Sequence, residues 1–270
     1  MNKKIKYINN KKIITINDQE YISKEYKDNN QIYNYLVKVG FTSFIKPTKY
    51  NDKEELIPYV KEYYLSNEII DIITDLHNRT TKYQKPDKLK QKELYINIKN
   101  RIFNTRNYYL KVQDKLETAN FFHPSEYLLL LNISNIYKAL DYALYKLEEW
   151  NNIKNNKEIE RTVLLINNYD LIDNKLYNWD NSKRDYPIYD LLNFYKQDYK
   201  NLNLDELYKK YNLKYSYTLE ENNLFQVLLV IPPIINYSPN SFKNLIEVNN
   251  LIKYLEITNN FILKYNKEYK

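Results

Sequence analysis

The sequence predicts an α+β fold with two lobes, a small strand-rich lobe followed by a large, mainly helical one. Over residues 1–26, three short apolar runs alternate with Asn-rich turns, which is the pattern of an antiparallel meander. From residue 67 onward, apolar residues recur at three- and four-residue spacing, which is typical of amphipathic helices. We therefore expect residues 1–64 to form the small lobe and residues 65–270 to form the large one.

The small lobe is predicted to hold five strands and one helix. Apolar residues at helical spacing predict the helix over 28–39, where Asp28 or Asn29 can cap its start. Gly40 can end it, because glycine readily adopts the positive φ required after a helix. The strands are expected at 5–8, 13–16 and 21–26 and, on either side of Pro47 and an acidic turn, at two places within 41–63, the last at 59–63.

Long helices dominate the rest of the chain. Pro124 stands at the start of a strongly apolar run, a position where proline favours helix initiation. The predicted helices lie at 67–79, 88–118 (one helix or a pair), 125–150, 188–200, 204–211, 219–231 and 241–265.

Composition limits the classes of function. The chain has no cysteine, which excludes disulfides and thiolate metal sites, and only two histidines. No apolar run approaches the roughly 20 residues needed to span a bilayer, and the N-terminus lacks a secretory signal, so we expect a cytoplasmic protein. The net charge is +7, and residues 1–50 hold 10 lysines against 4 acidic residues. Such a basic small lobe suits phosphates, nucleic acid or another anionic partner.

Residues 161–194 carry the most specific pattern in the chain. The apolar run VLLI at 163–166 predicts a strand, and the polar turn NNYD follows it at 167–170. A second short run, KLY at 175–177, leads into NWD at 178–180. The stretch DYPIYDLL at 185–192 then opens a helix.

This order of elements resembles the aminoglycoside/choline phosphotransferase family. That family reads His-Gly-Asp-Leu-His-x-x-Asn, then Ile-Asp-Trp-Glu, then Asp-Pro-x-Tyr-Asp-Leu. Its His-Gly-Asp falls on INN at 166–168, its metal-binding Asn on Asp173, and the Asp of Asp-Trp-Glu on Asn178. The last element is nearly intact as DYPIYDL at 185–191.

The resemblance implies a protein-kinase-like two-lobe fold, with a small N-terminal antiparallel sheet lobe and a large, mainly helical C-terminal lobe. The helix that begins PSEYLLLLNISNIYKALDY and the segment WDNSKRDYPIYDLLNFYK resemble the spore-coat-associated kinase-like proteins of Firmicutes. That subfamily implies a spore or envelope context.

The same resemblance implies a degenerate catalytic site. Asn168 takes the position of the catalytic base, and an amide oxygen is a far weaker base than a carboxylate. Asn178 would offer a metal ion a neutral oxygen, although Mg²⁺ favours anionic ones, while Asp173 offers a carboxylate where the family has an amide. Each lost charge is expected to cost about 10²–10³ in rate. We therefore expect weak or absent binding of ATP and Mg²⁺.

Shifted acids provide an alternative. Asp170 lies two residues after Asn168, and Asp180 lies two residues after Asn178, so each could replace the missing carboxylate. Residues two apart in a strand share a face, which makes the second replacement geometrically reasonable. Together with Asp173, these acids would give an active ATP-dependent phosphotransferase acting on a small-molecule or protein hydroxyl.

Nucleotide contacts are expected in the small lobe. Lys24 lies in the third strand, where kinase-like folds place a lysine that contacts the α- and β-phosphates and pairs with a helix glutamate. The corresponding helix here offers Gln31 instead. Lys11 and Lys12 follow the turn between the first two strands and could attract phosphate as point charges. That turn is glycine-free and equally fits an ordinary hairpin.

Three further residues are expected to be structural. Asp185 can accept backbone N–H groups near the catalytic loop, and Asp190 can anchor the start of its helix. The resemblance implies that His77 packs between the lobes.

Three classes of function follow. The leading hypothesis is a catalytically impaired kinase-like protein, a pseudokinase, that acts as a nucleotide sensor or as a scaffold for a protein partner. The second is the active phosphotransferase. The third is a nucleic-acid-binding module built on the basic N-terminal lobe, which is disfavoured because the sequence has no RNP-type or helix-turn-helix signature.

Overall fold

The structure, a computed structural model, describes residues 3–8, 11–59, 68–119, 121–166, 169, 171–238 and 240–267; for residues 3, 8, 11 and 267 it describes the backbone alone. The strands are β1 Lys3–Ile8, β2 Lys11–Ile16, β3 Gln19–Glu25, β4 Thr48–Lys49, β5 Glu54–Pro58, β6 Lys82–Gln84, β7 Glu160–Leu165, β8 Leu171–Ile172, β9 Lys175–Leu176 and β10 Lys183–Asp185. The helices are α1 Asn30–Lys38, α2 Ile69–Thr80, α3 Lys88–Glu117, α4 Pro124–Asn155, α5 Ile188–Gln197, α6 Leu204–Lys214, α7 Leu219–Val230 and α8 Ser241–Lys267.

The chain forms two compact units. The first comprises Met1–Lys82, Arg161–Phe194 and Lys210–Ser216, and the second comprises Tyr83–Glu160, Tyr195–Lys209 and Tyr217–Lys270. The segment expected to carry the catalytic chemistry therefore belongs to the same unit as the N-terminal strands. The expected boundary at residue 64 lies within 60–67, outside the described residues, and so does most of the strand expected at 59–63.

A five-stranded antiparallel sheet in the order β1-β2-β3-β5-β4 organises the first unit. The predicted meander is confirmed, and its second turn is a two-residue hairpin in which Asn17 and Asp18 have φ of 49° and 63°. Positive φ at both positions is the signature of a type I′ turn, which suits the twist of paired strands. The register places Ile13 opposite Ile22 and Ile22 opposite Ile57, so that one face of the sheet is apolar.

Helix α1 ends as the sequence predicts. Gly40 has a φ of +73°, and the Phe41 N–H donates to the Leu36 carbonyl at 3.0 Å. This hydrogen bond satisfies a carbonyl that the last helical turn would otherwise leave without a partner. Tyr33 and Leu36 form the buried face of the helix.

A small hairpin, β8–β9, packs against the apolar face of the sheet. Its turn residues, Asp173 and Asn174, have φ of 48° and 56°, a second type I′ turn. The Ile45 N–H donates to the Leu176 carbonyl at 2.8 Å, and the Leu176 N–H donates to the Ser43 carbonyl at 3.0 Å. These bonds fix the chain that leads directly into residues 178–180.

Burial completes the attachment of the hairpin. Its buried side chains belong to one apolar cluster with three strands of the sheet, formed by Ile13, Ile22, Ile57, Ile172 and Tyr177. At about 25 cal/mol per Å² of apolar surface, burying several large side chains is a major stabilising term for so short a hairpin.

The second unit is built around α4, which packs against α3, α7 and α8. Helix α7 is buried along almost its whole length, and its polar side chains have partners there. Tyr208 donates to Asn222 at 2.8 Å and Tyr142 donates to Gln226 at 2.6 Å, which removes the penalty of burying unpaired amides. Within the described residues, no helix has the length and apolar character that a membrane crossing would require.

Lys196, on α5, is an unusual member of the second unit. Its ammonium Nζ donates to the Leu228 carbonyl at 2.6 Å. Burial, reinforced by the charge of Arg101, lowers the pKa of Lys196 from 10.5 to about 7. The folded unit therefore disfavours the charged form of this side chain.

Replacing Gly40 tests the end of α1. Gly40→Ala should lower the free energy of unfolding by about 1 kcal/mol, because alanine resists positive φ. The added Cβ would also lie 3.1 Å from Arg79 Nη1, although that flexible side chain can shift. Gly40→Asn should cost less, because asparagine tolerates this conformation. Urea unfolding measures both, and a Gly40→Ala variant as stable as wild type would contradict the assignment.

The Lys196 side chain predicts a pH-dependent effect. Between pH 7 and 10.5 the unfolded chain binds a proton at Lys196 that the folded chain excludes, so folding is less favourable as the pH falls through this range. Lys196→Met should raise the free energy of unfolding at pH 7 by about 1 kcal/mol, reduced from the full shift because the residue keeps some solvent exposure.

The gain from Lys196→Met should disappear toward pH 10.5, where both states hold the neutral amine. Lys200→Met, at an exposed lysine of the same stretch, is the matched control and should show no such trend. Urea titrations at about pH 7 and about pH 10 make the comparison. A gain that is equal at both pH values would rule out a depressed pKa as its cause.

Candidate functional site

Lys24 is the centre of a charged cluster in the first unit. It lies on β3 directly opposite Glu55 of β5, and its Nζ is 2.9 Å from Glu55 Oε1. The same Nζ donates to Asp180 Oδ1 at 3.1 Å. Glu55 is 3% exposed, so its carboxylate is desolvated and needs a cation beside it. The antiparallel register of two strands therefore determines where the Lys24 ammonium lies.

Asp180 receives two further donors. The Asn29 side-chain amide donates to Asp180 Oδ1 at 2.9 Å, and Lys27 Nζ lies 3.7 Å from Asp180 Oδ2. Asn29 occupies the N-cap position of α1 but makes no side-chain capping bond to the backbone of that helix. The start of α1 is instead covered by Asp28, which accepts from the Asn30 N–H at 3.2 Å. Asn29 is thus released for the carboxylate.

Asn178 and Asp173 hold different places in the same segment. The Asn178 side-chain oxygen accepts from the Asp180 N–H at 3.3 Å, a local turn that orients the Asp180 carboxylate. Asp173, the expected metal position, lies at the exposed turn of the β8–β9 hairpin. Lys24, Asn178 and Asp180 are therefore brought together, and Asp173 is held at the tip of the hairpin.

Sequence reasoning missed Glu55 and Asn29. The sequence predicts the partner of Lys24 on α1, at Gln31, and in the structure Gln31 is exposed. The partner instead comes from a neighbouring strand, and α1 contributes Tyr33, a buried residue whose hydroxyl lies near these carboxylates. Burial and the charges of Glu55 and Asp180 raise the pKa of Tyr33 well above its usual value. A Lys–Glu cross-strand pair could have been found only with the register of β3 and β5 in hand.

The other residues that are expected to bind nucleotide or to act in catalysis provide less support for a site. Lys12 forms an ion pair with Glu54, and this hydrogen bond raises the pKa of Lys12. The Lys11 side chain lies outside the described residues, as does the turn before it. Asn168 and Asp170 also lie outside them, and their roles stay predictions.

A buried polar hub flanks these two positions. Asp190, at the start of α5, accepts from His77 Nε2 at 3.0 Å and from the Ile166 N–H at 3.3 Å through Oδ2. Its Oδ1 accepts from the Tyr169 hydroxyl at 3.2 Å. The other ring nitrogen of His77, Nδ1, lies 2.6 Å from the Tyr211 hydroxyl. The hub thus holds the backbone N–H of Ile166 and the side chain of Tyr169 in place.

His77 and Asp190 are fully buried, which is the environment of packed structural side chains. Asp185, at the end of β10, accepts from the Tyr186 N–H at 3.0 Å and lies 3.4 Å from Lys183 Nζ. These contacts shape the backbone around the segment.

The residues of the cluster suit phosphate better than a metal ion. Lys24 and Lys27 are cations, and the Asn29 amide is a donor, all of which phosphate oxygens favour. Mg²⁺ requires anionic oxygens, yet Glu55 and Asp180 are already neutralised by lysine. Within the described ranges no group of three or more His, Asp or Glu side chains could hold a metal ion. Mg²⁺ therefore does not fit this arrangement.

Comparison with solved structures identifies the fold. An aminoglycoside phosphotransferase from Alicyclobacillus acidocaldarius has a TM-score of 0.68 and 10% identity, over 98% of this chain and 92% of that one. A spectinomycin phosphotransferase in complex with AMP has a TM-score of 0.57 and 14% identity, over 94% and 92%. The ethanolamine kinase of Plasmodium vivax gives a TM-score of 0.37 at 14% identity, over 95% and 80%. No protein-family model and no curated protein matches the sequence.

The first two structures show that this chain has the protein-kinase-like fold of aminoglycoside phosphotransferases. The fold class predicted from the sequence is confirmed, with a small antiparallel sheet at the N-terminus and a mainly helical remainder. Because the fold is shared, Lys24 on the sheet and Asn178 and Asp180 in the segment 171–180 can be compared with the corresponding positions of phosphotransferases.

The buried Lys24–Glu55 pair predicts a loss of stability when the lysine is removed. Lys24→Met leaves the Glu55 carboxylate buried without its cation and should lower the free energy of unfolding by roughly 2–3 kcal/mol. Lys12→Met is the matched control on the adjacent strand, because its partner Glu54 is much more exposed and can be hydrated. Urea unfolding should show a much smaller change for Lys12→Met. Equal effects would contradict the buried pair.

Proposed function

We propose that this chain is a catalytically impaired kinase-like protein that acts as a nucleotide sensor or as a scaffold for a protein partner. The observation that carries the proposal is the contact of Lys24 with the Asp180 carboxylate of the same chain. A pairing with glutamate, such as that with Glu55, is also expected of an active kinase-like protein. In a phosphotransferase of this fold, such a lysine would act on the nucleotide phosphates.

The metal position supports the same conclusion. Asn178 stands where the resemblance predicts an aspartate, and its neutral oxygen is engaged by the Asp180 N–H. Phosphoryl transfer depends on metal ions that neutralise charge developing on the phosphates, so a segment that does not fit Mg²⁺ forfeits a large share of the rate. Asn168 at the base position would add to that loss.

Nucleotide binding is retained in the proposal for two reasons. A structure with this fold, the spectinomycin phosphotransferase, was solved with AMP bound. Lys24, Lys27 and Asn29 also form a set of donors that matches phosphate oxygens. A non-catalytic kinase-like protein would signal by using the free energy of nucleotide binding to change its conformation instead of to drive a reaction.

The active phosphotransferase is the second candidate, favoured by the fold itself, since the two structures that establish it are both phosphotransferases. It would rely on Asp170, Asp173 and Asp180. In the structure Asp180 is committed to Lys24, and Asp173 lies at an exposed turn, which weighs against that arrangement.

Two assays on the purified chain separate these candidates. We expect ATP to raise the melting temperature equally with Mg²⁺ and with EDTA, because the site does not fit a metal. We expect ATP hydrolysis and phosphotransfer to stay at the background of a no-protein control. Robust Mg²⁺-dependent turnover would overturn the impaired assignment, and no ATP-induced shift would overturn the nucleotide response.

Restoring the acids provides the complementary test. Asn178→Asp should make the ATP-induced shift depend on Mg²⁺, with about tenfold tighter binding in Mg²⁺ than in EDTA, since it adds one anionic oxygen. The double variant with Asn168→Asp should then show the first measurable turnover. Asn174→Asp, at the exposed hairpin turn, is the matched control and should retain wild-type behaviour. Identical responses of all variants would show that position 178 does not face the ligand.

A further inference from the structure

Asp180 is coordinated in the way a bound anion is. Its two oxygens receive the ammonium of Lys24 at 3.1 Å, the amide of Asn29 at 2.9 Å and, at the longer distance of 3.7 Å, the ammonium of Lys27. All three groups come from residues 24–29, which comprise the end of β3 and the connection to α1. A short segment that directs two cations and an amide at one carboxylate is an anion receptor with a ligand from its own chain.

The two carboxylates beside Lys24 are held differently. Glu55 lies within β5, its backbone is paired with β3, and it is 3% exposed, so its side chain is confined by the packing around it. The Asp180 side chain is 15% exposed and lies in a turn beyond β9, where a change of rotamer would release it. Glu55 is thus the fixed partner of Lys24, and Asp180 is the exchangeable one.

We propose that residues 24–29 form a receptor for the polyphosphate group of a nucleotide, that Asp180 fills this receptor in the free protein, and that binding displaces Asp180 without a divalent cation. The inference rests on the proposed nucleotide response and identifies Asp180 as the residue whose contacts change when the ligand binds. Loss of Asp180 from the receptor leaves Lys24, Lys27 and Glu55, a net charge of +1 that an anionic ligand can neutralise.

Displacement of Asp180 explains how a ligand could change the protein. Asp180 belongs to the chain that Asn178 orients and that the buried Trp179 anchors among Phe41 and Phe44. A ligand that takes the donors of Asp180 therefore alters the restraint on this segment. Because a ligand shifts an equilibrium only by its differential affinity, the strength of the Asp180 contact sets the apparent affinity for polyphosphate.

Removing the internal competitor should strengthen binding. Asp180→Asn keeps the shape of the side chain but removes its charge, so inorganic tripolyphosphate should bind at least about tenfold tighter than to wild type, in EDTA and by calorimetry. The variant should stay folded because Lys24 keeps Glu55. Asp71→Asn is the matched control, since Asp71 is also held by two lysines, Lys210 and Lys214, at 3.0 Å each. It removes the same charge and should bind like wild type.

Acylation of lysines by acetic anhydride, read by mass spectrometry, tests the contact without any ligand. Asp180→Asn should increase the labelling of Lys24 and Lys27 several-fold, and Asp71→Asn should do so for Lys210 and Lys214 instead. Tripolyphosphate should restore protection of Lys24 in Asp180→Asn. No change at Lys24 would overturn the internal-ligand assignment.

The outcomes distinguish the inference from the function on which it rests. If wild type binds ATP but Asp180→Asn binds tripolyphosphate no more tightly, the inference falls and the nucleotide response stands. If neither protein binds ATP or tripolyphosphate, both fall. If tighter binding by Asp180→Asn appears only with Mg²⁺, the metal-independent step is wrong. Tighter binding to Asp71→Asn as well would assign the effect to net charge alone, which also overturns the receptor.

Discussion

The burial of the Glu55 carboxylate is the constraint on which the site depends. A carboxylate that is 3% exposed requires a cation, and the register of β3 against β5 supplies Lys24 directly opposite. The same ammonium group also donates to Asp180 Oδ1 at 3.1 Å. Lys24 is in this way part of the internal structure of the first unit. In the proposed response, Glu55 is the partner of Lys24 that stabilises the fold, and Asp180 is the partner that competes with an anionic ligand.

Apolar packing and a polar hub bring the other parts into place. The β8–β9 hairpin is short, but Ile172 and Tyr177 bury it against the sheet, and this carries residues 178–180 to Lys24. Asp190 binds His77 and the chain on either side of residues 167–168, so the position expected for the catalytic base is bracketed by buried hydrogen bonds. Buried hydrogen bonds thus hold the chain on both sides of this position.

Much of the fold could be predicted because its signals are local. Helical spacing, Pro124 at the start of α4 and Gly40 after α1 determine element positions within a few residues. The site was harder to predict, because its residue pairs depend on the register of strands that are distant in sequence. No local pattern links Lys24 to Glu55. The sequence predicts Gln31 as the partner of Lys24, whereas in the structure the strand residue Glu55 is that partner. The resemblance placed Asp173 at a metal position, yet Asp173-Asn174 between two short apolar runs is also a hairpin signal, and in the structure these residues form a type I′ turn. The sequence suggests Asp180 only as a metal ligand, because its contact with Lys24 depends on the folded sheet.

Crystal structures of the protein alone and with tripolyphosphate would test the central claim most directly, through the distances from Lys24 Nζ to its neighbours. The account predicts that Nζ lies within about 3 Å of both carboxylates in the free protein. With the ligand, a phosphate oxygen should replace Asp180 while the contact to Glu55 persists and no metal ion is needed. A free protein in which Lys24 points into solvent, or a ligand bound while Asp180 stays on Lys24, would contradict it.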